Sequence, residues 1–437
     1  MEKSNLLSLH PQEFIKLLTE NNIKKFYFVF DNIKQQLISS HDILQPIADY
    51  LGADKRDFSK HEGLFFQLNE KYQTLMGAFV HKTNRGQSAG GVRYWHYNNI
   101  ESYFRDGIRL AKGMTQKNAL ANLWWGGGKG VICHNPDIDK YSPLIRKEIY
   151  SEYGEFLTSL QGCYVTAEDA GTNVTDMSNI FSKTRFTTCI PQSLGGSGNP
   201  SVPTARGVIS GMEAALKFLY NENLEGKVIA VQGMGNVGGP LIKFLFEKNV
   251  KKVIACDINI QIVEKLQSEL PGKNLEARVA DINDHSILSS ECDILAPCAT
   301  GAILNEKTIP GIKAKIICGA ANNQLEEPAR DDSLIYEKGI CYIPDFLTNR
   351  MGIVNCANEQ YGYVNNDNFI ERHLNKEWEY SVYQTTLSVL KMAKENQSPT
   401  GKIAIETADK MAEEAHPIFG HRGKEIIESL VQNKWHI

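Results

Sequence analysis

GKVIAVQGMGNVGGPLIKFL, residues 226–245, joins a short apolar run to a helical pattern through a glycine-rich turn. In this turn Gly233 permits a tight bend, Gly235 removes a side chain that would hold a pyrophosphate away from the backbone, and Gly238 lets helix and strand pack closely. The start of the helix offers backbone N–H donors and a favourable dipole to phosphate. A dinucleotide site is therefore predicted here. Its remaining turn residues are Asn236 and Val237.

The next apolar run, KVIACD, ends at Asp257, nineteen residues after Gly238. A carboxylate at this position can accept hydrogen bonds from both ribose hydroxyls of NAD and repels the 2′-phosphate of NADP. No arginine follows in DINIQ to bind that phosphate. The sequence therefore predicts NAD as the cofactor.

The pattern of apolar and polar residues along the chain indicates where the other secondary-structure elements lie. From Leu224 to Ile343, short apolar runs alternate with helical patterns, which is typical of a parallel sheet covered on both faces. Residues 61–97 alternate apolar runs with polar turns and predict strands and hairpins, followed by a helix from Ile100 to Leu123. Residues 1–60 carry helical patterns broken by FYFVF, and the last hundred residues are helical in pattern.

A chain of 437 residues exceeds what one hydrophobic core usually organises, so two domains are expected. We predict an α/β protein with a mixed-sheet substrate domain and a doubly wound Rossmann-type domain, and an active-site cleft between them. The predicted boundaries are 1–188 for the substrate and oligomerisation domain, with 1–60 as an extra N-terminal region, 189–385 for the Rossmann domain, and 386–437 for helices returning to the first domain.

Composition narrows the function classes. The chain is 42% hydrophobic and 22% charged with a net charge of -4, which gives no general electrostatic reason to bind nucleic acid or an anionic membrane. No apolar run approaches the ~18 residues of a membrane span, and the start lacks a basic segment followed by an apolar one, so a cytoplasmic protein is expected. Nine cysteines without a CxxC pair argue against a disulfide framework or a zinc site, and no metal is expected.

Two lysines occur in apolar surroundings. Lys117 shares a helix face with Met114 and Ala121, where it either has a functional role or extends from the edge of the helix to solvent. Lys129 follows three glycines in WWGGGKGVI. Since an apolar environment disfavours the charged form of lysine, the pKa of Lys129 is expected to fall into a range that suits a general base.

Several motifs together resemble one known family. RLAKGMTQK, GGGKG, YVTAEDAGT, GSGNPSVPTARGV, GMGNVG, DILAPCATGAILN, GAANNQL and NEQYGY follow the order and spacing of the glutamate, leucine, phenylalanine and valine dehydrogenases, over about residues 61 to 400. The match is closest to the leucine dehydrogenase branch. The resemblance implies reversible oxidation of an L-amino acid to the 2-oxo acid and ammonia with NAD, in a homo-oligomer.

The resemblance also implies roles for single residues. Lys117 would hold the substrate α-carboxylate, Lys129 would activate water against the iminium formed by hydride loss, and Asp169 would relay protons at the substrate nitrogen. Asp169 could instead be a helix-capping or turn residue. Further candidates at the cofactor are Thr204, Ala299 and Asn322, the last also beside the substrate.

The substrate side chain is expected to be apolar. Glutamate-specific relatives carry a lysine just before the Gly-Gly pair, whereas this chain has Ala89 before Gly90 and Gly91. The remaining pocket candidates are small or apolar: Ala167, Ile353 and Cys356. A branched-chain, aromatic or other apolar amino acid is therefore predicted.

Departures from the family pattern leave alternatives open. Arg350, in NRMG, could bind an acidic substrate side chain or could point to solvent. Trp124 and Trp125 could reshape the pocket or pack at the domain junction. A non-catalytic NAD-binding homologue is a second alternative. A hydroxy-acid dehydrogenase is a third, but such an enzyme would more naturally use histidine, and no histidine lies in a comparable motif.

Overall fold

The computed structural model describes residues 6–362 and 368–437. Internal packing divides the chain into two units, unit 1 and unit 2. Segment 386–408 packs with unit 2, whereas the sequence-based boundary placed it with the first domain. Unit 1 comprises Met1–Asn199, Glu359–Tyr363 and Asp409–Ile437, and unit 2 comprises Pro200–Asn358 and Val364–Ala408.

Unit 1 contains a mixed sheet with helices packed against it. Its strands are β1 (Lys25–Asp31), β2 (Gln36–Ser39), β3 (Gly63–Asn69), β4 (Thr74–Lys82), β5 (Ser88–Trp95), β6 (Gly126–Cys133) and β7 (Tyr164–Glu168). Its helices are α1 (Pro11–Glu20), α2 (Gln45–Ala53), α3 (Ile100–Leu120), α4 (Pro143–Ser159), α5 (Val174–Phe181) and, near the C-terminus, α15 (Arg422–Gln432).

The strand order in unit 1 is β2-β1-β3-β4-β6-β5-β7. Strands β1 to β4 pair antiparallel, β6 is antiparallel to β4, and β5 is parallel to both β6 and β7. This confirms the predicted mixed sheet. Because β6 lies between β4 and β5, Lys129 is placed in the middle of the sheet, opposite Phe79 of β4.

The N-terminal sixty residues complete this sheet and its core. The helix predicted over residues 32–52 is wrong in its first half, because residues 36–39 form β2 and pair with β1, for example Ile38 with Val29. The ring of Phe26 on β1 stacks on Phe66 of β3 with centroids 4.6 Å apart. β2 has only four residues, so its apolar pattern cannot be told from a turn of helix, and its pairing with β1 decides its structure.

Unit 2 alternates strands and helices. Its strands are β8 (Val228–Gln232), β9 (Lys252–Asp257), β10 (Leu275–Val279), β11 (Ile294–Pro297), β12 (Ile316–Cys318) and β13 (Cys341–Ile343). Its helices are α6 (Ser201–Tyr220), α7 (Gly238–Glu247), α8 (Ile260–Glu269), α9 (Pro328–Glu337), α10 (Asp345–Thr348), α11 (Met351–Gln360), α12 (Asn368–Leu374), α13 (Val382–Glu395) and α14 (Thr400–Ala412), of which α11 and α14 end in residues of unit 1.

The six strands of unit 2 are all parallel, in the order β10-β9-β8-β11-β12-β13. This is the strand order of a doubly wound dinucleotide-binding fold, in which ligands bind outside the carboxyl ends of the strands where the order reverses. The reversal falls between β8 and β11, and the glycine-rich turn follows β8 directly. The predicted Rossmann-type sheet is confirmed.

No helix among residues 6–362 and 368–437 is both long and apolar enough to cross a bilayer. All nine cysteines lie in this described part, and each is a free thiol. Within the same residues, no group of three or more histidine, cysteine, aspartate or glutamate side chains is arranged to hold a metal ion.

Candidate functional site

A lysine–aspartate ion pair lies at the centre of unit 1. Lys129 Nζ is 2.8 Å from Asp169 Oδ2, and the two side chains are only 4% and 18% exposed. Lys129 belongs to β6, and Asp169 follows the last residue of β7. Asp169 does take part in a turn, since its backbone N–H donates to Thr172 Oγ1. A turn role alone does not account for its carboxylate, which contacts cations.

Glycines bring the backbone of β6 close enough to its neighbours to place Lys129 there. A Cβ on Gly127 would lie 2.0 Å from Thr115 Oγ1 of α3, and one on Gly128 would lie 2.7 Å from the ring of Tyr164 on β7. Any side chain at these two positions would push β6 away from the helix and the neighbouring strand. The GGGKG motif is therefore a packing requirement for the position of the lysine.

Burial and charge set the protonation of the pair. Burial lowers the pKa of Lys129, and the opposing effect of the Asp169 charge does not cancel this. Burial raises the pKa of Asp169, but the charges of Lys129 and Arg93 outweigh it and hold that pKa below its ordinary value. The arrangement thus provides an ionised carboxylate beside an amine that loses its proton more readily than an exposed lysine, which suits proton transfer.

Three further residues of the cluster escaped the sequence analysis: Arg93, Tyr97 and Asp106. Arg93 Nε donates to Asp169 Oδ2 at 3.1 Å, and its Nη1 lies 2.9 Å from Asp106 Oδ2. The hydroxyl of Tyr97 donates to the same Asp106 oxygen at 2.7 Å. The one available signal was Arg93 itself, two residues after the Gly-Gly pair on a strand, hence on the same face as Gly91.

The Gly-Gly pair lies beside the ion pair. A Cβ on Gly91 would lie 2.8 Å from Asp169 Cβ, and one on Gly90 would lie 1.9 Å from Gly128 O, so both positions exclude a side chain. Ala89 on β5 and Ala167 on β7 are buried, at 1% and 4% exposure. These four residues share the part of the sheet that holds the ion pair.

Lys117 lies in the last turn of α3 and is half-buried. The next residue, Asn118, donates from Nδ2 to Ala89 O at 3.3 Å and to Gly126 O at 2.6 Å. This buried amide ties the end of α3 to the start of β5 and of β6. Asn118 thereby fixes the end of the helix from which the Lys117 side chain extends.

The glycine-rich turn of unit 2 has the geometry that a dinucleotide requires. Gly233 has φ +89, and a Cβ on Gly238 would lie 1.9 Å from Gly233 O. A Cβ on Gly235 would meet nothing within 4 Å, so open space adjoins the backbone where a pyrophosphate would approach. Asp257 accepts the backbone N–H of Met234 at 2.7 Å, which aims its carboxylate at the turn. These residues fit NAD.

The other predicted cofactor residues lie at several places in unit 2. Ala299 packs against Gly233, since a Cβ there would lie 2.8 Å from Ala299 Cβ. Asn322 follows β12, is exposed, and accepts from Asn349 Nδ2 at 2.8 Å. Thr204 lies in the first turn of α6, and its hydroxyl donates to Pro200 O. In the turn itself, Asn236 is exposed and Val237 is half-buried.

Ile353 and Cys356 lie on α11 and are buried, at 7% and 3% exposure. Arg350, just before that helix, has no exposed surface. Its Nη2 donates to Tyr380 O and to Thr385 Oγ1, and burial lowers its pKa to about 9. The prediction of a solvent-exposed Arg350 is therefore wrong, and the burial of its guanidinium inside unit 2 does not favour the alternative that it binds an acidic substrate.

The two tryptophans before the glycines pack within unit 1. Trp124 stacks on the Arg85 guanidinium, whose Cζ is 4.3 Å from the ring centroid, and its ring is 5.4 Å from that of His416. Trp125 is 3% exposed, with its ring 6.4 Å from that of Tyr361. Trp124 thus has a packing role.

Two glycine substitutions in the turn are expected to affect different properties, one the stability of unit 2 and the other the binding of NAD. Gly238→Ala should destabilise unit 2 by about 2 kcal/mol, because its Cβ would overlap a backbone oxygen. Gly235→Ala should fold normally but weaken NAD binding about tenfold or more, because the methyl group enters the open space. Thermal unfolding and fluorescence titration with NAD separate these effects. Normal NAD affinity in folded Gly235→Ala would contradict the assignment.

The parallel sheet with its glycine-rich turn and the acidic residue after β9, together with a buried lysine–aspartate pair in unit 1, is typical of a dinucleotide-dependent oxidoreductase. The family "Glutamate/Leucine/Phenylalanine/Valine dehydrogenase" matches residues 195–416, and "Glu/Leu/Phe/Val dehydrogenase, dimerisation domain" matches residues 67–186. The chain belongs to the Glu/Leu/Phe/Val dehydrogenase family and is an NAD-dependent amino-acid dehydrogenase.

Relatives agree with the predicted branch. The chain is 44% identical over 336 residues to a leucine dehydrogenase of Geobacillus stearothermophilus, covering 77% of this chain and 85% of the relative. It is 35% identical over 331 residues to a phenylalanine dehydrogenase of Lysinibacillus sphaericus, covering 75% and 81%. The crystal structure of L-tryptophan dehydrogenase from Nostoc punctiforme superposes with TM-score 0.64 at 32% identity, covering 80% and 96%. The resemblance to the leucine dehydrogenase branch is confirmed.

Proposed function

We propose that the enzyme oxidatively deaminates a branched-chain, aromatic or other apolar L-amino acid to its 2-oxo acid and ammonia, reversibly. The observation that carries this proposal is the buried contact of Lys129 Nζ with Asp169 Oδ2 at 2.8 Å. A base of lowered pKa and an ionised carboxylate are the two groups that removal of an amino group requires. A non-catalytic role would not need this costly burial of charge.

Three residues of unit 1 carry the proposed chemistry. Lys117 binds the substrate α-carboxylate, Lys129 is the general base, and Asp169 exchanges protons with the substrate nitrogen. NAD, when bound, accepts the hydride from the substrate Cα. Lys129 Nζ then removes a proton from the water that attacks the resulting iminium carbon.

The second half of the reaction is proton transfer to nitrogen. The proton that Lys129 took from water passes through Asp169 to the carbinolamine nitrogen. The carbinolamine hydroxyl then gives its proton to Lys129 as the C=O bond forms and the C–N bond breaks, and the nitrogen leaves as ammonia. Lys129 and Arg93 both contact Oδ2 of Asp169, so we assign the exchanging proton to Oδ1. The low pKa of Asp169 returns this oxygen to the ionised state after each transfer.

NAD binding is assigned to residues of unit 2. The glycine-rich turn holds the pyrophosphate by backbone N–H groups and by the start of α7, and Asp257 binds the ribose hydroxyls. Thr204, Ala299 and Asn322 are proposed to contact the nicotinamide half. The turn residues that we assign to the cofactor are Gly233, Gly235, Asn236, Val237 and Gly238.

An apolar substrate is supported by the residues that we assign to its pocket. Besides Gly90 and Gly91, they are Ala89, Ala167, Ile353 and Cys356, none of which carries a charge. A substrate carboxylate among such side chains would lack a partner, which is costly. The relatives described above, which are leucine, phenylalanine and tryptophan dehydrogenases, support the same class.

The direct test is turnover on a panel of L-amino acids with NAD at alkaline pH, followed by absorbance of the reduced cofactor. We expect kcat/KM for one of leucine, isoleucine, valine, phenylalanine or tryptophan to exceed that for glutamate or aspartate about a hundredfold or more. Highest rates on glutamate or aspartate would contradict the assigned pocket. Binding of NAD without turnover on any amino acid would favour the non-catalytic alternative.

Assembly and location are further parts of the proposal. The match of residues 67–186 to a dimerisation domain supports a homo-oligomer. Nine free thiols suit the reducing conditions of the cytoplasm. We propose an oligomeric cytoplasmic enzyme whose partners are the amino acid, the 2-oxo acid and ammonia.

A further inference from the structure

Arg93 occupies a position that strand register places beside the proposed proton-relay residue. β5 and β7 are parallel, with Val92 paired to Glu168, so the residue after each of them, Arg93 and Asp169, comes next in register. Arg93 Nε is 3.1 Å from Asp169 Oδ2, the same oxygen that contacts Lys129 Nζ. One carboxylate oxygen therefore holds two cations together.

The guanidinium is fixed from its other side. Nη1 of Arg93 donates to both carboxylate oxygens of Asp106 on α3, at 3.2 and 2.9 Å. The hydroxyl of Tyr97, which is 6% exposed, donates to Asp106 Oδ2 at 2.7 Å. The side chains of Arg93 and Asp106 are 20% and 11% exposed, so water competes little for these contacts.

We propose that Arg93 is a positioning residue for deamination: it holds the Asp169 carboxylate against Lys129 through a guanidinium that Asp106 and Tyr97 keep in place. This inference rests on the proposed roles of Lys129 and Asp169. A planar guanidinium suits the task because it presents donors to two carboxylates at once, which an ammonium group cannot do in the same geometry.

The charges around Lys129 predict that replacing Arg93 shifts the pKa of this lysine. They come from three elements: Arg93 on β5, Asp106 on α3 and Asp169 after β7. In register on β4 lies the uncharged Phe79, and Glu168 on β7 has its pKa raised to about 7, by burial first and then by neighbouring carboxylates. Arg93 is the cation in this set whose charge lowers the pKa of Lys129. Its removal must therefore raise that pKa.

The test compares Arg93→Gln and Arg93→Lys with Arg109→Gln, whose side chain is 47% exposed and contacts Asp106 only at 3.4 Å. For Arg93→Gln we expect kcat to fall about a hundredfold, because the Asp169 carboxylate stays paired with Lys129 Nζ but loses the second cation that fixes its orientation. The acidic limb of its pH–kcat profile should move up by about one pH unit, since Lys129 then loses its proton at higher pH. Arg93→Lys should restore about tenfold of the loss. Arg109→Gln should stay within about twofold of the parent.

A milder variant covers the case in which Arg93→Gln does not fold. Tyr97→Phe removes one hydrogen bond to Asp106 and should lower kcat about fivefold with little change in KM. The apparent pKa of Lys129 can also be read without turnover, by labelling with an amine-reactive reagent across pH and mass spectrometry of the labelled peptide. That pKa should be higher in Arg93→Gln than in the parent.

The outcomes separate this inference from the proposed function. An unchanged Lys129 labelling profile in folded Arg93→Gln, or a fall in kcat without a shift of the acidic limb, would reduce Arg93 to a structural role and overturn the inference. If the parent enzyme oxidises no amino acid while the labelling profile still shifts, the positioning contact stands and the proposed function fails.

Discussion

Lys129→Ala is expected to lower kcat for amino-acid oxidation about a thousandfold or more while NAD still binds. The expected loss follows from removal of the only base that contacts Asp169 in the described part of the chain, and general-base catalysis contributes factors of about 10² to 10⁴. The variant should fold, because Asp169 keeps its contact with Arg93 at 3.1 Å. Turnover is measured by absorbance of reduced cofactor, and NAD binding by fluorescence titration.

Two companions make this prediction specific. Lys129→Arg keeps a cation near Asp169 but cannot lose its proton at any usable pH, so it should be as inactive as the alanine variant. Lys71→Ala removes an exposed lysine of the same unit that pairs with Glu148, and its activity should stay within about twofold of the parent. Turnover of Lys129→Ala within tenfold of the parent would refute the role of this lysine as the base.

Asp169→Asn is the second substitution with a large expected effect. The amide keeps the shape of the side chain but cannot exchange a proton with the substrate nitrogen, so kcat should fall by about 10² to 10³. NAD binding should persist, since Asp169 lies in unit 1 and the glycine-rich turn lies in unit 2. Rates are measured in both directions, because reductive amination needs the same proton transfer in reverse.

The same substitution changes stability in a pH-dependent way. It leaves Lys129 without a carboxylate partner at 4% exposure, so the free energy of unfolding should drop by about 3 kcal/mol at pH 7. Without Asp169 the pKa of folded Lys129 falls further, and the folded state then releases this proton at a lower pH than the unfolded state does. Between those two pKa values stability rises with pH. The deficit against the parent should therefore shrink as pH increases.

Urea unfolding at pH 7 and pH 9.5 measures this change in deficit. Asp139→Asn, at an exposed turn of unit 1, is the matched control and should unfold like the parent at both pH values. A deficit that is equal at both pH values would show that Lys129 is not the group that responds, and parent-like kcat in Asp169→Asn would remove this residue from the proton path.

The sequence singled out Lys129 and Asp169, which the structure brings into contact, but it did not reveal the residues that hold them. Lys129 was recognisable because glycines and apolar residues surround it locally, and Asp169 because AEDAGT matches a family motif. The pairing of Arg93 with Asp106 and Asp169 spans 13 and 76 residues of sequence, so no local pattern contains it. Arg350 shows the opposite error: the sequence offered a charged residue near the substrate motifs, and tertiary packing buried it against Tyr380 and Thr385.

Local chemistry was enough for the Rossmann-type unit. Its short apolar strands alternate with helical stretches along the chain, so the pattern is visible locally. The glycine-rich turn also determines its own backbone geometry, as the positive φ of Gly233 illustrates. Strand order in unit 1 was decided only in three dimensions: β6 lies between β4 and β5, and the N-terminal β1 and β2 complete the sheet. Register and side-chain contacts between distant segments depend on which surfaces bury each other, a property of the folded whole that no single stretch of sequence carries.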